Sequence, residues 1–86
     1  FKAEAKEFIE PKNDIEKDFC YAYSEILGID KVSANESFFN LGGTSLTAAK
    51  VVVFALNKGY QITYQDIFQY PSPIELGEFI LSLTTL

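Results

Sequence analysis

Two glycines directly before a helix-forming run constrain this 86-residue chain more than any other feature of its sequence. The run that follows, from Leu46 to Leu56, contains neither Gly nor Pro and is long enough for about three turns of helix. Gly42 and Gly43 allow backbone angles that a Cβ would forbid. The sequence therefore places Ser45 at or next to the N-cap of a helix, where free N–H groups and the helix dipole favour a negative group.

A first helix and a long loop are predicted before this turn. Asn13 is expected to cap the helix, with Glu16 completing a capping box. Gly28 supplies a left-handed end to the same helix. Residues 29–43 then form a loop that is long for so small a domain, and loops of this length are usually functional.

The second half of the chain carries two more helix starts. Thr63 and Asp66 mark a short third helix that ends at Gln69. The segment Ser72-Pro73-Ile74-Glu75 combines a capping serine, a proline at the first helical position and a glutamate at the third. The sequence thus predicts an all-α, four-helix bundle with three longer helices, a short third helix, and a long loop between helices 1 and 2.

Composition sets a domain boundary and argues against two kinds of partner. Residues 1–12 are rich in Lys and Glu and precede the first cap, so we interpret them as a linker whose Phe8 and Ile9 fold back onto the core. Residues 13–86 form the folded domain.

A net charge of −5 argues against non-specific nucleic-acid binding. No apolar run reaches membrane-spanning length, so we expect a soluble, cytoplasmic domain with no membrane partner.

The chain lacks the side chains that most catalytic and metal sites need. It contains no histidine, which removes the usual general base of Ser and Cys hydrolases and the commonest metal ligand. The single cysteine, Cys20, falls within a helical pattern and is expected to be a buried small apolar residue. We therefore predict neither a catalytic residue nor a metal site.

Several explanations of the Gly-Gly-Thr-Ser turn compete. A phosphate-binding loop is excluded because no Gly-Lys-Ser/Thr follows and no strand precedes it. A nucleophile elbow is excluded because residues 43–47 lack the second glycine of Gly-x-Ser-x-Gly, and no histidine is available to activate the hydroxyl. Ser45 is then either only an N-cap or a residue that another enzyme modifies with a phosphate ester.

Three apolar residues interrupt the polar face of the second helix. On an ideal wheel the core-facing residues are Ala48, Ala49, Val52, Ala55 and Leu56. Leu46, Val53 and Phe54 fall among polar residues on the other side. They form either a docking patch beside Ser45 or a surface that the long loop or the third helix covers.

The segment Phe38-Phe39-x-Leu41-Gly42-Gly43-x-Ser45-Leu46, with Ala48 beyond it, resembles the signature of thiolation, or peptidyl carrier protein, domains of nonribosomal peptide synthetases. The similarity extends to Ile67-Phe68-x-x-Pro71-Ser72 and covers roughly residues 13–83. It implies an acyl-carrier-protein-like fold and a 4′-phosphopantetheine arm attached through a phosphodiester to Ser45. Gly42, Gly43 and Thr44 would form the flanking turn.

The resemblance also implies a function and a set of partners. A phosphopantetheinyl transferase would attach the arm from coenzyme A, and the thiol of the arm would hold aminoacyl or peptidyl groups as thioesters. Adenylation, condensation and thioesterase-type domains would dock at Leu46, Val53, Phe54 and Tyr64, and the isolated domain is expected to be a monomer. Phe68, on the third helix, is expected in the core.

Two features separate this chain from related carriers. Thr44 stands where many carriers have an acidic residue, and the second helix carries Lys50 with no acidic residue, unlike the acid-lined second helix of fatty-acid carriers. The peptidyl type is therefore favoured. Aryl, D-alanyl and polyketide acyl carriers differ from it in cargo and stay open, as does an unmodified helical interaction domain in which Ser45 is only a cap.

Overall fold

Four α-helices account for most of residues 8–84, the part of the chain that the computed structural model describes. They are α1, Asp14–Leu27; α2, Ser45–Asn57; α3, Tyr64–Gln69; and α4, Pro73–Thr84. Helix α1 packs against both α2 and α4, and α2 also packs against α3. The predicted all-α bundle is confirmed, with its short third helix and its long loop between α1 and α2. None of the described helices is long and apolar enough to cross a membrane.

Residues that the sequence marked as caps begin and end α1. The Oδ1 of Asn13 accepts the N–H of Glu16 at 2.9 Å, and Gly28 ends the helix with a φ of 71°. The reverse half of the predicted capping box does not form. Instead, Oε1 of the buried Glu16 accepts the backbone N–H of Lys12 at 3.0 Å, one residue before the cap. The start of α1 is thus fastened to the segment that precedes it.

An aromatic core joins the loops before α2 and α4. Tyr23 of α1 and Phe38 of the long loop are fully buried, with ring centroids 4.8 Å apart. The Tyr23 hydroxyl donates to the carbonyl of Pro71 at 2.8 Å, and the Phe38 N–H donates to the same carbonyl at 2.9 Å. Because one carbonyl accepts both bonds, the two loops are held in a fixed relative position.

Helix α2 is rotated relative to the wheel that the sequence suggested. Its buried residues are Ala48, Val51 and Ala55. Ala49 and Leu56, predicted to face the core, are instead exposed. The helix is apolar on most of its circumference, so no polar boundary fixes the angle of the buried stripe, and packing against α1 and α3 decides it.

Residues just before α1 are hydrogen-bonded to the long loop. The N–H of Ile9 donates to Ser33 Oγ at 2.8 Å, and the Ile9 carbonyl accepts the N–H of Ala34 at 2.8 Å. The Ala34 carbonyl in turn accepts the N–H of Ile74 in the first turn of α4, at 3.0 Å. This part of the predicted linker therefore lies against the domain, while residues 1–7 lie outside the described residues.

Candidate functional site

The turn before α2 is built on the backbone of two aromatic residues. The N–H of Gly43 donates to the carbonyl of Phe38 at 3.0 Å, and the N–H of Gly42 donates to the carbonyl of Phe39 at 3.1 Å. Gly42 has a φ of 105°, in the region that favours glycine. A Cβ at Gly42 would meet no atom within 4 Å, so its backbone angle alone requires glycine.

Gly43 is needed for a different reason. Its φ is not positive, but a Cβ there would lie 2.4 Å from two ring carbons of Phe38 and 2.8 Å from the Phe38 carbonyl oxygen. Phe38 is fully buried and its ring is held by Tyr23. The absence of a side chain therefore lets the backbone pass directly over the core.

Thr44, and not Ser45, is the N-cap of α2. The N–H of Thr47 donates to Thr44 Oγ1 at 3.3 Å, and the N–H of Thr44 donates to Thr47 Oγ1 at 2.8 Å. The two threonines thus form a complete capping box. Because Thr and Asp can both cap a helix, Thr44 preserves the helix start that an acidic residue would give at this position.

Ser45 is the first residue of α2 and is exposed. Within residues 8–84, no hydrogen bond of its hydroxyl is found. The alternative in which Ser45 is itself the cap is excluded, because the neighbouring Thr44 makes the capping bonds. The Ser45 Oγ is therefore accessible and available to react.

The surroundings of Ser45 suit a phosphate ester. The first turn of α2 contains no acidic residue, so no carboxylate there repels a negative group. The positive end of the helix dipole and the first N–H groups of the helix favour such a group. The turn is open at Gly42, where nothing lies within 4 Å of a Cβ position. These residues fit the attachment of a phosphodiester.

The predicted docking residues lie in different environments. Leu46 and Val53 of α2 are 73% and 58% exposed, and the long loop does not cover them. Phe54 is half-buried, with its ring 6.1 Å from that of Tyr21 in α1. Tyr64, at the start of α3, is 40% exposed.

Two large exposed apolar residues were assigned to the core by sequence reasoning, and both assignments are wrong. Leu56 lies on the open side of α2. Phe68 is 47% exposed, and one face of its ring stacks on Phe39 with centroids 4.8 Å apart. The six-residue α3 buries only Ile67. Phe68 follows Ile67 directly and therefore points to a different side of the helix, beside the core.

The free cysteine has an inert environment. Cys20 is partly buried on α1, and burial, followed by the nearby Glu16 and Glu10, raises the pKa of its thiol to about 11. The thiol is thus protonated at neutral pH and a poor nucleophile. Among the described residues, no group of three or more His, Cys, Asp or Glu side chains is arranged to hold a metal ion.

A small helical scaffold that presents an unbonded serine at a helix start fits a domain that carries a covalently attached group. The family model described as "Phosphopantetheine attachment site" matches residues 20–80. The chain therefore belongs to the phosphopantetheine-attachment family, as a peptidyl carrier, or thiolation, domain. Its cofactor is 4′-phosphopantetheine, and the domain is a carrier without catalytic activity of its own.

Similarity to known proteins covers nearly the whole chain. It is 35% identical over 79 residues to D-lysergyl-peptide-synthetase subunit 2 of Claviceps purpurea (strain 20.1), which is 90% of this chain and 6% of that protein. A thiolation-reductase di-domain from an archaeal non-ribosomal peptide synthetase superposes with a TM-score of 0.83 at 36% identity, covering 86% of this chain and 16% of that one. A non-ribosomal PCP domain gives a TM-score of 0.75 at 37% identity, with 79% and 88% covered.

Proposed function

We propose that Ser45 carries the 4′-phosphopantetheine arm, and that the domain shuttles aminoacyl or peptidyl thioesters between catalytic domains of a nonribosomal peptide synthetase. The observation that carries this proposal is the exposed Ser45 hydroxyl, which is free of hydrogen bonds because Thr44 caps the helix. Gly42, Gly43 and Thr44 form the turn that presents it. Membership of the phosphopantetheine-attachment family supports the same assignment.

The loading reaction uses position rather than chemistry from this chain. The Ser45 Oγ forms a bond to the phosphorus that bears pantetheine in coenzyme A, the pyrophosphate bond breaks, and adenosine 3′,5′-bisphosphate leaves. The hydroxyl proton passes to a base on the transferase, since this chain has no histidine to accept it. The helix dipole stabilises the negative charge of the phosphodiester that results. Once attached, the arm supplies the thiol that forms thioesters.

Partner docking is assigned to the exposed side of α2 and the adjoining α3. Leu46 and Val53 lie seven residues apart on α2, a spacing that places them on one face and suits a helix that docks in an apolar groove. Phe54 borders this face on the α1 side, and the exposed Tyr64 at the start of α3 is assigned to the same surface. The partners are a phosphopantetheinyl transferase and the adenylation, condensation and thioesterase-type domains of the synthetase. We assign the isolated domain as a monomer in the cytoplasm.

Intact-mass measurement tests the attachment site. Incubation with coenzyme A and a broad-specificity phosphopantetheinyl transferase should add one phosphopantetheine to the wild type and none to Ser45→Ala. Ser82→Ala is the matched control, because Ser82 is an exposed serine near the end of α4. It should load like the wild type. An adduct on folded Ser45→Ala, or no adduct on the folded wild type, would overturn the proposal.

A charge introduced at Leu46 tests the docking face. Leu46→Asp should lower the initial loading rate by tenfold or more, because Leu46 is exposed beside Ser45, while the helical circular dichroism signal stays at the wild-type level. Lys17→Asp introduces the same charged side chain on the exposed surface of α1 and should change the rate less than twofold. Equal losses in the two variants would contradict a docking surface on α2.

A further inference from the structure

A single charge lies on the exposed side of α2. Lys50 is the only charged residue of this helix, and its side chain is exposed. It follows Leu46 by four residues and precedes Val53 by three, so it neighbours both on the helix surface. Leu46 and Val53 are themselves exposed apolar residues. The face assigned to partner docking therefore combines apolar side chains with one positive charge.

No carboxylate among the described residues neutralises Lys50. Within residues 8–84 its ammonium group has no acidic side chain at ion-pair distance. Lys58, one residue past the end of α2, differs: its Nζ lies 3.7 Å from Oδ1 of Asp18, and Asp18 also accepts the hydroxyl of Tyr60. Lys58 thus takes part in holding α1 against the end of α2, whereas Lys50 is available to pair with another protein.

A partner that docks on α2 takes Lys50 out of water. A surface that covers Leu46 and Val53 also reaches the lysine between them. The ammonium group then loses hydration, and a carboxylate within hydrogen-bonding distance is needed to offset that loss. A groove that is apolar throughout fits Leu46 and Val53 but leaves Lys50 without a counter-charge.

We propose that Lys50 selects the partners of this carrier, and that the groove which receives α2 is apolar and bears a carboxylate opposite Lys50. The ammonium group and this carboxylate form a charge-assisted hydrogen bond when the partner docks. The inference rests on the proposed function, because it requires partner domains to dock on α2.

The charge on α2 is opposite in sign to the charge of the whole chain. A net charge of −5 attracts basic surfaces at long range. At contact, α2 presents one positive side chain and no negative one. Lys50 therefore repels a basic groove, which suits an acid-lined helix, and attracts an acidic groove. One lysine thus favours one class of partner and disfavours the other.

Initial loading rates with coenzyme A and a broad-specificity phosphopantetheinyl transferase test this selection. Lys50→Glu should load about tenfold more slowly than the wild type at about 50 mM salt. The ratio should fall below about threefold at about 500 mM salt, because salt screens exposed charges. Lys50→Arg keeps the charge and should load within about twofold of the wild type.

Lys17→Glu is the matched control, because it makes the same change of net charge on the exposed surface of α1. It should change the loading rate less than about twofold at either salt concentration. Equal losses in Lys17→Glu and Lys50→Glu would overturn the proposal, as would faster loading of Lys50→Glu. Either result with a fully loaded wild type would leave the attachment at Ser45 intact, whereas a folded wild type without any adduct would overturn the proposed function as well.

Carbodiimide cross-linking identifies the group that faces Lys50. The unloadable Ser45→Ala variant is mixed with the transferase and coenzyme A, and the carbodiimide joins a lysine amine to a carboxylate in direct contact with it. Peptide mass spectrometry should find Lys50 joined to an aspartate or glutamate of the transferase, with little cross-linking at the exposed Lys17. Cross-links at Lys17 in equal yield, or none at Lys50, would contradict a carboxylate opposite Lys50.

Discussion

Two serines stand at helix starts in this domain, and the structure uses them in opposite ways. Ser72 precedes α4, is 5% exposed, and its Oγ accepts the N–H of Glu75 at 3.2 Å. The Glu75 carboxylate reaches back to the N–H of Ser72, also at 3.2 Å, so this capping box is complete. Ser45 opens α2, is exposed, and leaves the capping to Thr44.

A displacement of one residue relative to the cap makes this difference. A hydroxyl at the cap position is committed to a backbone N–H, as in Ser72. A hydroxyl at the following position keeps the favourable field of the helix start without that bond, as in Ser45. The capping bonds of α2 are thus made by Thr44, so Ser45 can be replaced without loss of the helix cap.

The largest effect is expected from the turn that holds Ser45 outward. Gly43→Ala should lower the free energy of unfolding by about 3 kcal/mol, because the new Cβ would lie 2.4 Å from the fixed ring of Phe38. Gly42→Ala is the matched variant and should cost only about 1 to 2 kcal/mol, since a φ of 105° strains the backbone without a clash. Urea unfolding measures both. A Gly42 variant that is the less stable of the two would show that backbone angle, and not contact with the core, governs the turn.

A smaller difference is expected when each of the two serines is replaced by alanine. Ser72→Ala should cost about 1.5 kcal/mol of unfolding free energy, because it removes a buried cap, and should still accept phosphopantetheine. Ser45→Ala should change stability by less than about 0.5 kcal/mol, as exposed substitutions outside caps usually do. Thermal or urea unfolding compares them. Equal stabilities for the two variants would show that Ser72 contributes no more to capping than Ser45 does.

Local sequence signals were sufficient for the helices and insufficient for their faces. Asn13, Thr63 and the Ser72–Glu75 segment act as caps in the structure, because a cap depends on residues within one turn of each other. The exposed position of Phe68 depends instead on which side of α3 meets the rest of the bundle. No spacing within six residues of sequence encodes that side.

The same distinction applies to the site. The glycine-serine motif located Ser45, but it did not identify which residue caps α2. The spacing of Thr44 and Thr47 could have identified the cap, because it is the spacing of a capping box. Threonine stands there in place of the usual Glu or Gln. Glycine is required at position 43 because of the buried ring of Phe38. This requirement depends on packing between distant parts of the core, so the local sequence does not indicate it.

A smaller effect should come from the residue that caps α2. Thr44→Ala should cost about 1 kcal/mol, because Thr44 Oγ1 accepts the N–H of Thr47. Thr44→Asp should stay near the wild type, since an aspartate caps equally well and also favours the helix dipole. Unfolding free energies measure this pair. An aspartate variant as unstable as the alanine variant would contradict the view that Thr44 replaces an acidic residue through its capping bond.

The smallest effect is expected from the hydrogen bond between Tyr23 and Pro71, just before α4, and it appears only at alkaline pH. Burial, followed by the nearby Cys20 and Glu75, raises the pKa of Tyr23, whose hydroxyl donates to Pro71 directly before Ser72. The unfolded chain ionises this tyrosine near pH 10 while the folded chain does not, so its contribution to stability is complete below pH 10 and falls above it. At pH 10.5 the loss should be about 0.8 kcal/mol relative to pH 8.

Tyr60 must be removed from this measurement, because burial and the hydrogen bond to Asp18 raise the pKa of Tyr60 to about 12 and give a similar loss. Unfolding free energies of Tyr60→Phe and Tyr60→Phe/Tyr23→Phe are therefore compared between pH 8 and 10.5. The double variant should be less stable at pH 8, where it lacks the bond to Pro71, and the gap should narrow as the pH rises. A difference in unfolding free energy that stays constant with pH would mean that the Tyr23 hydroxyl ionises as easily in the folded chain as in the unfolded one. The start of α4 would then be no more firmly buried than the start of α2.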